Sequence, residues 1–121
     1  MTDPRHQLGR RGEDLAAAHL RERGFTVLEQ GFRCRFGEID IIAADCERLL
    51  FCEVKTRRSR AFGDPCEAVT WSKQQRLRKT AGWYLASHEW PGEIRFDIFS
   101  IVIVGNGDYE LEWLEDAFAW E

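Results

Sequence analysis

The stretch LLFCEVKTR, residues 49–57, opens like a buried strand and closes in charge. Strand side chains alternate faces, so Leu49, Phe51, Glu53, Lys55 and Arg57 share one side. Two large apolar groups followed by a carboxylate, an ammonium and a guanidinium make an expensive face for a core strand. The segments around it decide whether that face is a solvated strand end or a site.

Immediately upstream, EIDIIAA (residues 38–44) reads as a second strand, joined to the first by the polar link Asp45-Cys-Glu-Arg48. If Asp45 pairs with Arg48, or Ala44 with Leu49, the numbers of paired residues sum to 93 in either case. That register sets Asp40 opposite Glu53 and Glu38 opposite Lys55, with facing Cβ atoms ~4.5–5.5 Å apart. Two carboxylates at that distance repel, and Ile39, Ile41, Phe51 and Val54 keep the neighbourhood dry. A cation is the natural compensation. Mg²⁺ is hard, takes oxygen ligands, and commonly binds one or two carboxylates together with waters and a substrate phosphate. Metal, water and Lys55 around a phosphodiester amount to hydrolytic chemistry. The same spacing also accommodates a plain strand end, with Glu38 and Lys55 as an ordinary cross-strand ion pair, and a different turn length would undo the pairing.

Working outward, residues 9–23 carry a helical stripe (Leu8, Leu15, Ala16, His19, Leu20) that ends at Gly24, a C-terminal cap. Residues 25–28 read as a strand broken by Gln30-Gly31. Residues 58–67, with Gly63, Asp64 and Pro65, read as a loop. A second helix is predicted over residues 72–88, capped by Thr70 or Ser72, with Leu77, Ala81, Tyr84 and Leu85 as its apolar stripe. Residues 93–104 form a long strand, and Asn106-Gly107 signals a hairpin into residues 109–114. The expected fold is one α/β domain over residues 1–121. It has a mixed central sheet of about five strands with flanking helices, in the order α-β-β-β-α-β-β.

Composition agrees with a folded domain: 121 residues, 44% hydrophobic and 31% charged. The longest strongly apolar run, residues 98–104, is far short of the ~20 residues that span a membrane. The polar opening MTDPRHQLGRRGED has no apolar signal core, so a cytoplasmic location is the default expectation. Cys34, Cys46, Cys52 and Cys66 form no CxxC pair, and His6, His19 and His88 have no paired spacing. Reduced cysteines in or near the core are expected, rather than disulfides or zinc. Net charge is −4, but residues 1–80 carry +4 and residues 81–121 carry −8.

Four stretches in series carry a family resemblance: GRRGEDLAAAHLRERGF, FGEIDIIA, FCEVKTR and RFDIF. Together they resemble the YraN-like family of small bacterial proteins, related to Holliday-junction resolvases. The Asp40…Glu53-x-Lys55 core is similar to that of the PD-(D/E)XK, restriction-endonuclease-like nuclease superfamily. The resemblance runs from about Gly9 to Phe99. It implies a metal-dependent endonuclease acting on DNA phosphodiesters, with Mg²⁺ or Mn²⁺ held by Asp40, Glu53 and the backbone carbonyl of Val54. Lys55 takes the catalytic lysine's position, and Glu13 that of an acidic residue approaching from the first helix. Lys73 or Gln74 sits where a polar residue of the second helix often reaches the site. Ile39 stands where the superfamily's nominal proline precedes the aspartate.

The basic residues fit a phosphate-bearing partner. Arg10 and Arg11 flank Glu13, Arg33 and Arg35 precede Asp40, and Arg57, Arg58 and Arg60 follow Lys55. Arginine's planar fork suits phosphate, and phosphate contacts carry no sequence information. No base-reading module is visible, so branched or otherwise structured DNA is the expected partner, with a homodimer as one arrangement and no small-molecule cofactor. Trp71, Trp83, Trp90, Trp113 and Trp120 invite a base-stacking reading, but core or interface packing is the expectation. Asp97 is expected to be structural, paired with Arg95 or capping a helix. Two other classes stay open: a catalytically silent nucleic-acid-binding module, and a scaffold docking through its acidic end and tryptophans.

Overall fold

Asp45 starts the turn that sets the sheet. Its Oδ1 accepts the N–H groups of Glu47 (2.9 Å) and Arg48 (2.6 Å), and its own N–H donates to the Arg48 carbonyl at 3.0 Å. Arg48 Nη2 closes the ring on Asp45 Oδ2 at 2.9 Å. Cys46 and Glu47 are therefore the tip of a tight turn, and the expected register follows in a computed structural model that describes residues 3–58 and 69–120. Strands β2 (Gly37–Ala44) and β3 (Arg48–Arg57) pair antiparallel, from Ala44 with Leu49 to Ile41 with Cys52.

The remaining elements are α1 (Pro4–Glu22), β1 (Thr26–Cys34), α2 (Trp71–Ser87), β4 (Glu93–Ile103) and β5 (Tyr109–Phe118). The five strands form one sheet in the order β1-β2-β3-β4-β5, and only β3 and β4 run parallel. A parallel pair needs a crossover, and α2 supplies it. The α-β-β-β-α-β-β order and the mixed sheet are as the sequence led one to expect. The predicted loop at residues 58–67 lies, apart from Arg58, outside the described residues, as do Arg60 and Cys66.

Each helix covers one face. Ala16, Ala17 and Leu20 of α1 pack with Ile41, Leu50, Phe99 and Ile101, while Leu77, Ala81 and Tyr84 of α2 pack with Ile42, Phe51 and Phe96. With helices on both sides, β3 and β4 are buried twice over, which is why their middles are nearly continuous apolar runs. Each fully buried Phe, Leu or Ile contributes about 1.5–3 kcal/mol. Helix α1 lies unusually close to β3 because Gly12 has no side chain: a Cβ there would overlap the Thr56 hydroxyl.

Several boundaries differ from expectation, each for a local reason. Helix α1 begins at Pro4 rather than residue 9, because Asp3 caps it by accepting the Arg5 N–H (2.9 Å) and Pro4 suits the first turn. Strand β1 does not break at Gln30-Gly31. As an edge strand it absorbs a bulge between Val27 and Glu29 and a positive φ at Gly31, and then runs on to Cys34. Helix α2 is capped by Thr70, whose Oγ1 accepts the Lys73 N–H at 3.2 Å. The Asn106-Gly107 hairpin forms, through a 3-10 turn with Asn106 at φ 64°.

Strand β5 continues past residue 114 because Asp97 holds its irregular stretch, accepting the Asp116 N–H at 3.0 Å. Asp97 is structural, as expected, and is bound by Arg95. Cys52 is buried and Cys34 partly so, but Cys46 at the turn tip is exposed. Trp113 stacks on Phe99 and Trp120 on Phe96, in keeping with the packing expectation. Trp71 and Trp83 lie outside the core: both stand exposed on α2. Among the described residues no helix is long and apolar enough to cross a membrane.

Candidate active site

The antiparallel ladder between β2 and β3 stops at Ile41–Cys52, one step short of the Asp40–Glu53 pair. Beyond that point the alternation of faces breaks. Ile39 packs with the α2-side cluster and Ile41 with the α1-side cluster. Asp40 lies at the switch and aims its carboxylate into the gap, where Oδ2 accepts the Val54 N–H at 2.8 Å. Val54 thus meets the site through its main chain. Glu53 keeps to the face of Phe51 and points toward α2, only 7% exposed, with Lys73 Nζ 2.6 Å from its Oε1.

The expected opposition of Glu38 and Lys55 does not form, because the strands have parted. Glu38 instead pairs across β1 with Arg33, Nε to Oε2 at 3.4 Å. Lys55 lies beside Ser100 of β4 in the parallel ladder, and forms no ion pair among the described residues. A buried carboxylate pair thus sits next to an ammonium with no ion pair among the described residues.

Burial and charge together raise the pKa values of Asp40 and Glu13. Burial, and then the charge of Glu53, push Asp40 up to about 7, with Glu13 and Glu38 adding to the effect and the Val54 N–H offsetting part of it. Burial is also the first cause of the upward shift at Glu13, followed by Glu38, Asp14 and Glu53, while Arg10 opposes it. Four carboxylates from α1, β2 and β3 therefore feel one another. Such a concentration of carboxylates with raised pKa values in a cleft is characteristic of functional sites.

Asp40 and Glu38 form the ridge between two clefts. One, of about 280 Å³, is closed by Gly37, Glu53, Lys73, Arg76 and Leu77. The other, about 760 Å³, opens between α1 and β1, with Glu13, Arg10, His6 and Gln30 in its walls. Among the described residues no three His, Cys, Asp or Glu groups converge as a ready-made metal cage. The donor chemistry nevertheless fits a hard divalent ion. Asp40 and Glu53 offer carboxylate oxygens to the same cleft, and such ions complete their shells with water and phosphate rather than with protein alone. The raised Asp40 reflects burial first and the neighbouring carboxylates second, and a bound cation would offset both.

The predicted residues divide into three groups. Asp40, Glu53 and Lys73 meet at the smaller cleft, Glu13 and Arg10 line the larger one, and Lys55 adjoins Glu53 along β3. Arg57 ends β3 half-buried and Arg58 stands exposed just beyond it. The third group is used elsewhere. Arg11 donates to the Gly107 carbonyl at 2.6 Å and ties α1 to the β4–β5 turn. Gln74 braces the start of α2 by donating to the Val69 carbonyl at 3.2 Å. Arg35 lies over the Phe36 ring at 5.2 Å. Glu38 and Arg76 were not foreseen as site residues, yet their spacing carried the signal: Glu38 stands two before Asp40 in a strand, and Arg76 three after Lys73 in a helix.

A model of the uncharacterised protein family UPF0102 matches residues 12–101. A UPF0102 protein of Rhodococcus opacus is 45% identical over 113 residues, 92% of this chain and 95% of that relative. UPF0102 proteins of Nitrosomonas europaea (44% identical; 91% and 92% covered) and Dictyoglomus turgidum (45%; 93% and 97%) match equally well. The match takes in FGEIDIIA, FCEVKTR and RFDIF whole and the first of the four stretches from Gly12 onward.

Proposed function

The chain belongs to the UPF0102 family, and from the chemistry of its acidic cleft we propose that it is a metal-dependent endonuclease hydrolysing DNA phosphodiester bonds, of PD-(D/E)XK type. The observation that carries this reading is Asp40. Burial and three neighbouring carboxylates raise it to about 7, beside Lys55, which has no ion-pair partner among the described residues. A fold has no stability reason to gather those groups.

Asp40, Glu53 and the Val54 carbonyl would hold Mg²⁺ or Mn²⁺, with Glu13 assisting from α1. When bound, the ion supplies Lewis acidity toward the phosphoryl oxygen and an activated water. The Val54 N–H fixes the direction of the Asp40 carboxylate. Lys55 orients the attacking water and steadies the charge that grows on the phosphoryl oxygens. Arg10 and Arg76, in the walls of the two clefts, hold the backbone on either side. Contacts of that kind read shape rather than sequence, so branched or junction DNA is the preferred substrate.

One observation favours a second reading, a silent DNA-binding module: Lys73 already neutralises Glu53 from within. A single experiment separates the two. Labelled duplex, single-stranded, flap and four-way-junction DNA are incubated with Mg²⁺, Mn²⁺ or EDTA and wild-type protein, Glu53→Gln or Lys55→Ala. The enzyme reading expects cutting that needs metal and falls about 10²–10³-fold in both variants, comparable to the loss of one preorganised charge-stabilising group. Tight binding with no cutting by the wild type would leave the module.

A further inference from the structure

Helix α2 carries four cations, Lys73, Arg76, Arg78 and Lys79, and no acidic residue among its 17 positions. Its outer face is also where large apolar side chains stand uncovered. Trp71 is 71% exposed and Trp83 48%, and Phe36, 38% exposed at the β1–β2 turn, meets Trp83 edge-on at 5.8 Å. Ser72, Arg76, Lys79 and Trp83 are all exposed and recur at intervals of four, three and four, so two cations and an indole share one helical face. At its start a hollow of about 630 Å³ is walled by Trp71, Gln75, Arg76 and Lys79. Arg76 is also a wall of the smaller acidic cleft. The aromatic-cationic face and the cleft thus share a boundary.

We propose that this face of α2 binds unpaired bases of single-stranded DNA as the strand leaves the cleft, with Trp71 and Trp83 as stacking platforms. Every base has a π-face, so indoles at a groove edge hold single strands without regard to sequence, while interleaved cations follow the phosphates. Charge complementarity selects this occupant. Lys73 is held by Glu53 and Arg78 by the Ala119 carbonyl, but Arg76 and Lys79 stand exposed on a helix without one anion; they suit a polyanion, whereas an apolar protein surface would have to desolvate them. The proposal deepens the nuclease reading and rests on it for the choice of DNA. It would give a site that cuts flaps and similar branched DNA a means of recognising the unpaired strand.

The test is fluorescence anisotropy in EDTA, so that no strand is cut. It uses labelled oligothymidine of about twenty nucleotides, longer than one such site, with an abasic oligomer of equal length and a blunt duplex for comparison. Trp71→Ala and Trp83→Ala should each weaken oligothymidine binding about tenfold and leave the abasic oligomer and duplex within about twofold. Trp83→Phe should retain most of the affinity. Thermal melts of each variant establish that the fold is intact, as expected for exposed positions. Wild-type binding that ignores both substitutions, or no binding of oligothymidine at all, would overturn the proposal. So would sedimentation in which the tryptophans hold two copies together while DNA binding is unchanged, because the face would then belong to a second chain. A failure of the nuclease reading looks different: binding persists and depends on the indoles, but no metal restores cutting.

Discussion

Asp97 and Asp40 are both aspartates in the body of one sheet, yet the fold treats them in opposite ways. Asp97, 1% exposed, accepts four hydrogen bonds: from Arg95 Nε at 3.0 Å, Arg95 Nη2 at 2.7 Å, Trp113 Nε1 at 2.8 Å and the Asp116 N–H at 3.0 Å. Asp40 accepts one, from Val54, and looks across at three other carboxylates. A carboxylate satisfied from inside the protein is a brace. One left short of donors and facing a cleft is a socket for something that arrives from outside. Composition cannot tell the two apart, and only the census of donors does.

The largest effect expected from breaking this contrast is at the brace. Asp97→Ala strips four bonds and leaves Arg95 buried without its main partner, which should cost about 3–5 kcal/mol. The midpoint of urea unfolding measures it, and a loss below about 1 kcal/mol would mean that the network contributes little.

The socket should respond with the opposite sign. Asp40 titrates near 7 in the folded protein against 3.8 as an ordinary side chain, so the folded state holds its proton more tightly. That contribution to stability is fully present below pH 3.8 and is lost as pH rises through about 7. Asp40→Asn should therefore stabilise the metal-free protein by about 2 kcal/mol at pH 8, roughly half the full value of the shift because the neighbouring carboxylates share the repulsion. At pH 4 it should gain almost nothing. Melting temperatures of both proteins across that range are the readout, and equal curves would mean that Asp40 feels no repulsion.

The smallest effect concerns the internal cation. Lys73→Met should cost the metal-free protein about 1 kcal/mol, as expected for a partly exposed pair. Added Mn²⁺ should raise the melting temperature of the variant more than that of the wild type, because Lys73 no longer competes for Glu53. Equal gains would mean that the lysine and the metal serve different groups.

Much of this was legible in advance because the decisive contacts are local. Asp45-Cys-Glu-Arg48 fixes a tight turn by its own side chain, and once that turn exists the pairing of Ala44 with Leu49 leads step by step toward Asp40 and Glu53. What escaped the sequence depends on groups far apart along the chain or on small departures from regular geometry. The pleat changes face at Asp40 because its carboxylate takes the Val54 N–H, and no strand pattern announces that. Lys73 reaches Glu53 only because the crossover docks α2 on that face, and Arg11 is drawn to the Gly107 carbonyl 96 positions away. Strand β1 was cut short in the sequence reading because glycine usually ends a strand, whereas at a sheet edge a positive φ removes little pairing.

The open edges of the sheet also give a meaning to the acidic last third of the chain. Strand β5 is an outer strand with no further strand beside it among the described residues, and such an edge is a template onto which another molecule's strand can add. Its exposed side chains include Glu110, Glu112, Glu115 and Asp116. Two copies meeting edge to edge would set those carboxylates against one another, while the bulge and turned glycine of β1 disrupt the opposite border. The negative charge of β5 thus acts as a guard against runaway sheet extension, on the edge of the sheet two strands removed from β3 and its Glu53.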